Sequence, residues 1–165
     1  MTSGVARRNV WVISDTHLKS GNDLPVEFVN RVNREDLIIH LGDFIGPNVV
    51  DFLEKRATLA AVSGNCDPPA IRRAFPTSRI IMIGNIKVGL MHGSGGETTA
   101  LARARNQFGG AVDVVLFGHT HKPYHFRDGR TLYFNPGSLT EGRGRPAGYG
   151  LLHLDEGTWG ELFEL

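Results

Sequence analysis

The segment NVWVISDTH, residues 9–17, carries a continuous apolar run into an aspartate and a histidine, and DLIIHLGD, residues 36–43, repeats the pattern and ends on Asp43. A short apolar run bounded by polar or glycine positions reads as a strand, here Asn9 to Ser14 and Asp36 to Leu41. Pro25 to Arg34 between them reads as a helix, so the chain opens as strand, helix, strand. That unit makes the first half α/β.

The alternation continues outward. Asn48 to Arg56 reads as a helix with Asn48 as a cap, Thr58 to Val62 as a strand, and Pro68-Pro69 as a break. Arg79 to Ile83 and Ile86 to Met91 flank Gly84-Asn85, a two-residue hairpin signal that brings antiparallel pairing into a mixed sheet. A helix from Glu97 to Phe108, C-capped by Gly109, precedes a buried strand at Val112 to Phe117. The last third reads as a β-meander: Tyr124 to Arg127, Thr131 to Phe134, Gly148 to Asp155 and Trp159 to Glu164, with turns at Asp128-Gly129 and Glu156-Gly157. The glycine- and arginine-rich stretch from Glu141 to Gly150 reads as a loop.

At 165 residues the chain suits one domain, 1–165. The 18 Lys and Arg against 17 Asp and Glu leave a net charge of +1, so nucleic acid is not indicated as a partner. The single cysteine, Cys66, excludes a disulfide framework and suits a reducing compartment. No apolar segment has signal-peptide or membrane-spanning length, which points to a soluble cytoplasmic protein without membrane partners.

The chemistry lies where the apolar runs stop. Val10 to Ser14 leads into Asp15 and His17, Leu37 to Gly42 into Asp43, Leu59 to Gly64 into Asn65, Val88 to Met91 into His92, and Val114 to Gly118 into His119 and His121. In α/β sheets such carboxyl ends form the binding site, and their convergence would place seven N and O donors around one cavity. That set exceeds one tetrahedral zinc site and suits two divalent ions, with Asp43, alone on its loop, as the bridge. Carboxylate, amide and imidazole donors without a thiolate requirement suit manganese, iron, zinc or nickel. With Asp15 and Asp43 as the only carboxylates and a hydroxide between the ions, about one positive charge would remain for a phosphate ester.

The motifs Asp15-Thr16-His17, Gly42-Asp43, Gly64-Asn65-Cys66-Asp67, His92-Gly93 and Gly118-His119-Thr120-His121 resemble, in order and spacing, the calcineurin-like metallophosphoesterase superfamily. The short chain, Cys66 and Asn135-Pro136-Gly137-Ser138 are similar to its small YfcE-type phosphodiesterases. The resemblance implies a four-layer αββα sandwich of two mixed β-sheets flanked by helices. It implies a phosphodiesterase acting on a small-molecule phosphate ester or phosphodiester through a hydroxide bridging two ions, with manganese the expected metal. Asp15, His17, Asp43 and His121 would hold one ion, and Asp43, Asn65, His92 and His119 the other. Asn65, Cys66 and His92 are the expected catalytic residues. Where many superfamily members carry a histidine that protonates the leaving group, this chain has Cys66, a weaker donor that would favour good leaving groups.

Other polar residues read more plainly. His40 reads as a hydrogen-bonded core histidine with orientation of the site as the alternative, and His125 and His153 as structural strand residues. Asp67 is either a positioning group or a turn residue, and Arg143 and Arg145 are either phosphate clamps or solvated loop residues. The competing functions are a non-catalytic scaffold similar to the retromer subunit Vps29, and a phosphomonoesterase or protein phosphatase. By resemblance, a homo-oligomer would form through the β-rich half.

Overall fold

A computed structural model of the chain describes residues 8–140, 143–154 and 157–165. The first strand, β1 (Val10–Ile13), pairs in parallel with β2 (Leu37–His40), and β2 with β3 (Thr58–Ala61). The C-terminal hairpin, β9 (Gly148–His153) and β10 (Trp159–Glu164), completes a sheet of order β10-β9-β1-β2-β3. A second sheet has the order β4-β5-β6-β8-β7, from β4 (Ser78–Ile83), β5 (Ile86–Met91), β6 (Val114–Phe117), β7 (Tyr124–Asp128) and β8 (Thr131–Asn135). Each sheet mixes parallel and antiparallel pairs, as expected.

The period of two along each strand builds the layers. Val10, Val12, Leu37 and Ile39 of the first sheet meet Leu90, Val114, Leu116, Leu132 and Phe134 of the second in a central core. Trp11, Ile13 and Ile38 point the other way, into a core with α1 (Val26–Arg31), α2 (Pro47–Arg56) and α3 (Pro69–Ala74). Val115, Phe117 and Tyr133 pack outward against α4 (Ala100–Phe108). The result is the αββα sandwich. Burial of both faces explains why β1 and β6 read as unbroken apolar runs and why β2 is broken only by its last residue, His40.

Four local expectations are corrected. Pro68-Pro69 starts a helix: Pro68 is the N-cap of α3 and Pro69 its first residue, where a missing N–H costs nothing. Helix α2 begins at Pro47 after Gly46, and Asn48 instead accepts a hydrogen bond from the Gly21 N–H. Helix α4 starts at Ala100, because Thr99 caps the Ala102 N–H, so Glu97 lies outside it. The last third is no meander. One hairpin, β7–β8, extends the second sheet with β8 parallel to β6, and the other, β9–β10, crosses to the first sheet with β9 antiparallel to β1. Asp155 and Glu156, part of the expected last turn, and Glu141 and Gly142 lie outside the described residues. Among the described residues no helix is long and apolar enough to cross a membrane.

Candidate metal centre

The carboxyl ends of β1, β2 and β3 face those of β5 and β6, so the five donor loops meet across the two sheets. Beyond the strands the loops stay bound: the N–H groups of Asp15, His17 and Leu18 donate to the carbonyls of Gly42, Asp43 and Phe44. Two close approaches need glycine. A Cβ on Gly64 would stand 2.1 Å from Asp43 Oδ1, and one on Gly118 would stand 2.1 Å from Ser14 Oγ.

All seven expected donors come together here. His121 Nε2 lies 3.3 Å and His17 Nε2 3.8 Å from Asp15 Oδ1. Asp43 Oδ2 stands between His92 Nε2 at 3.3 Å and His17 Nε2 at 3.6 Å, a position between the two halves of the cluster. Asn65 Oδ1 and His119 Nδ1 approach His92 Nε2 at 3.2 and 3.3 Å. The sets Asp15/His17/His121 and Asp15/Asp43/His92 each have donor atoms within 4.8 Å of one another, close enough to share an ion, and Cys66 joins His17 and Asp43 in a third such set.

The donor chemistry fits cations. Asp15 is fully buried, yet its Oδ1 has no hydrogen-bond partner while facing three imidazoles. Such an atom is costly unless a positive charge meets it. His92 Nδ1 lies 2.8 Å from the Leu41 carbonyl, which only accepts, so Nδ1 keeps the proton when the ring is neutral and Nε2 is then the nitrogen with a lone pair for the cluster. His17 and His121 also face each other nitrogen to nitrogen at 3.3 Å, as two ligands of one ion do.

The electrostatics agree. Burial works against ionising Asp15, but the His121, His17 and Ser14 contacts and the charge of His92 hold its carboxyl well below the usual range. Asp43 behaves likewise, with burial outweighed by His92 and the Cys66 N–H. Asp15 raises the affinity of His17 for a proton, and for His92 the two carboxylates and the Leu41 carbonyl overcome burial. Burial and then the charge of His92 lower His119, with Arg143 adding to the effect. Burial and then Asp43 raise the Cys66 thiol, so it keeps its proton at neutral pH. Cys66 is exposed, and its N–H donates to Asp43 Oδ1 at 2.8 Å.

The supporting residues were only partly legible. Asp67 is a positioning group: fully buried, it accepts from the N–H groups of Asp43, Phe44, Ile45 and Gly64 at 2.7 to 3.0 Å. Sequence reading missed Ser14, which donates to Asp15 Oδ2 at 2.5 Å, and Ser138 and Thr140, which donate to the carbonyls of Asp15 and Thr16 at 2.8 and 2.9 Å. Within Asn135-Pro136-Gly137-Ser138, Asn135 also holds the Gly118 carbonyl, so the motif braces two donor loops. His40 serves both of its readings. It is fully buried, stacks on Phe44, accepts from the Gly42 N–H and contacts the Thr16 hydroxyl. His125 accepts from the Gly160 N–H, and His153 pairs with Glu161, both away from the cluster. Arg143 and Arg145 are exposed, and only Arg143 acts on a donor.

Two packed mixed sheets with oxygen and imidazole donors gathered at their carboxyl ends define an α/β protein with a candidate divalent-metal site. The chain belongs to the calcineurin-like phosphoesterase superfamily, whose domain matches residues 9–157. It is 36% identical over 136 residues to a probable metallophosphoesterase of Methanocaldococcus jannaschii, covering 79% of this chain and 68% of that one. Among solved structures, a Thermotoga maritima protein is 33% identical with a TM-score of 0.74, covering 96% of this chain and all of that one (100%). Vps29 of Entamoeba histolytica complexed with Zn2+ is 27% identical with a TM-score of 0.73, covering 94% and 98%. An archaeal phosphodiesterase at 23% identity shares the fold, with a TM-score of 0.75 and coverage of 95% and 99%. The family chemistry is hydrolysis of phosphoesters with divalent metal ions.

Proposed function

We propose that the chain is a cytoplasmic phosphodiesterase whose single domain, 1–165, holds two divalent ions, with manganese the expected metal. The buried, unpartnered Oδ1 of Asp15 among three imidazoles carries this reading. Asp15, His17, Asp43 and His121 would hold one ion and Asp43, Asn65, His92 and His119 the other. Ions held there would supply Lewis acidity and a water of lowered pKa, roughly 7, as the source of the nucleophile.

The remaining chemistry falls to the chain. His92, with Nδ1 fixed by the Leu41 carbonyl, would present Nε2 to an ion and set the place of Asn65, whose Oδ1 lies 3.2 Å away and whose NH2 group remains free to orient a phosphate oxygen. Cys66 is exposed beside Asp43, where its thiol can donate a proton to a leaving oxygen. A thiol donates weakly, which favours diesters with good leaving groups over protein phosphomonoesters. The exposed free thiol also suits a reducing cytoplasm.

The test is release of p-nitrophenol from bis(p-nitrophenyl) phosphate by chelator-treated protein, with and without manganese, against p-nitrophenyl phosphate in parallel. Diester turnover restored only by metal supports the reading. No turnover by folded, metal-containing protein would favour a scaffold similar to Vps29.

A further inference from the structure

A cleft of about 370 Å³ opens off the metal centre, sharing Asn65 and His92 with it. The rest of its wall includes Ser63, Arg72, Thr77, Ser94 and Gln107, and no carboxylate lines it. Ser63 is buried, and its Oγ is the one buried hydroxyl among the described residues without a hydrogen-bond partner in the protein. Arg72 is anchored by the carbonyls of Asp67 and Asn65, at 2.6 and 3.2 Å, so a fixed guanidinium stands in the wall. Cys66, the proton donor to the leaving group, is not part of this wall.

We infer that this cleft binds the ester group that stays on phosphorus, and that the group is a neutral, hydroxyl-bearing unit of sugar size. The inference rests on the phosphodiesterase reading and names its substrate class. The volume lies near the small end for ligand sites, which run from about 300 to 1,000 Å³, so it suits one sugar ring rather than a polymer. Hydroxyl and amide side chains match sugar hydroxyls as donors and acceptors. A cationic headgroup such as choline would meet Arg72 with no carboxylate to offset it. An acyl chain would leave the buried Ser63 hydroxyl without a partner.

The test uses the full-length, manganese-loaded protein and three p-nitrophenyl phosphodiesters that differ only in the second ester group: thymidine (5′-linked), choline, and a second p-nitrophenyl as reference. The thymidine diester is expected to exceed the choline diester in kcat/KM by about tenfold, the worth of one or two hydrogen bonds. Gln107→Glu, which adds a carboxylate to an exposed part of the wall, should lower that ratio about threefold. As a readout apart from turnover, ribose 5-phosphate should raise the melting temperature of the wild type more than phosphocholine does at equal concentration. Equal kcat/KM for the two diesters, a ratio unchanged in Gln107→Glu, or equal melting shifts would each overturn the sugar site. Failure to turn over all three diesters is a different result. It would overturn the phosphodiesterase reading and the sugar site with it.

Discussion

Asp67 makes no contact with substrate or ion in this scheme, yet replacing it should damage both stability and metal binding. Its Oδ1 accepts from Phe44 and Ile45, and its Oδ2 from Asp43 and Gly64, with no exposure to solvent. Asp67→Asn keeps the volume but turns one oxygen into an NH2 group, which faces two backbone N–H groups in either orientation. Two hydrogen bonds to a charged acceptor are lost, at about 1.5 to 3 kcal/mol each. We expect a loss of roughly 4 kcal/mol, a large part of the 5 to 15 kcal/mol a typical domain has. In a chain of this size that lowers the melting temperature by about 8 to 16 °C. The same bonds fix the loops of Asp43 and Asn65, so manganese affinity should fall by about 10- to 100-fold. Urea unfolding and metal titration of Asp67→Asn, with Asp51→Asn on the exposed face of α2 as a control, test this. A loss below about 1 kcal/mol with unchanged metal affinity would refute the reasoning.

Asp43→Asn should fold and bind metal more weakly while phosphodiester turnover drops by about a thousandfold or more, and retained turnover would remove Asp43 from the site. Metal affinity should fall on acidification from above pH 6.5, because the carboxylates raise His17 and His92 and each must shed its proton to ligate; a manganese Kd constant from pH 7.5 to 5.5 would contradict this. His40 is shifted the other way, with the same sign on acidification. Burial lowers its pKa to about 3, so the unfolded chain takes up the proton first as pH falls through 6.5, and stability is lost progressively down to about pH 3. His40→Gln removes that slope, so the stability gap between wild type and variant should shift by roughly 3 kcal/mol in the variant's favour between pH 7 and 4.5, measured by urea unfolding at each pH; a constant gap would refute it.

The layers were legible because the inner strands β1 and β6 are buried on both faces, which leaves no polar position in either. The donors were legible because each closes such a run. Chain pairing was not. Asn135 and Gly148 each flank an ordinary strand, and nothing local to Gly148–His153 says that it joins β1 rather than β8. The brace was hidden for a related reason: Ser138 and Thr140 act on carbonyls more than 120 residues away, at separations of 123 and 124. Hydroxyl residues in a loop carry no periodic signal. Asp67 stayed undecided from sequence because a turn aspartate and a clamp on four N–H groups look alike until the second loop is in place.

The backbone explains why so many braces are needed. Asp15, His17, Asp43, His119 and His121 all sit at positive φ, from 48 to 69°, a region that costs a side-chain-bearing residue about 1 kcal/mol or more. Five such residues would relax if their loops were free. They do not, because Asp67, Asn135, Ser138 and Thr140 fix the same loops from behind, and Asp15 and His17 bond through their N–H groups to the chain around Asp43. The braces reach the backbone and leave the donor atoms that line the cluster, Asp15 Oδ1 above all, for an ion. The frame therefore gathers the donors, and a bound ion would relieve the burial and crowding of charge that the frame imposes.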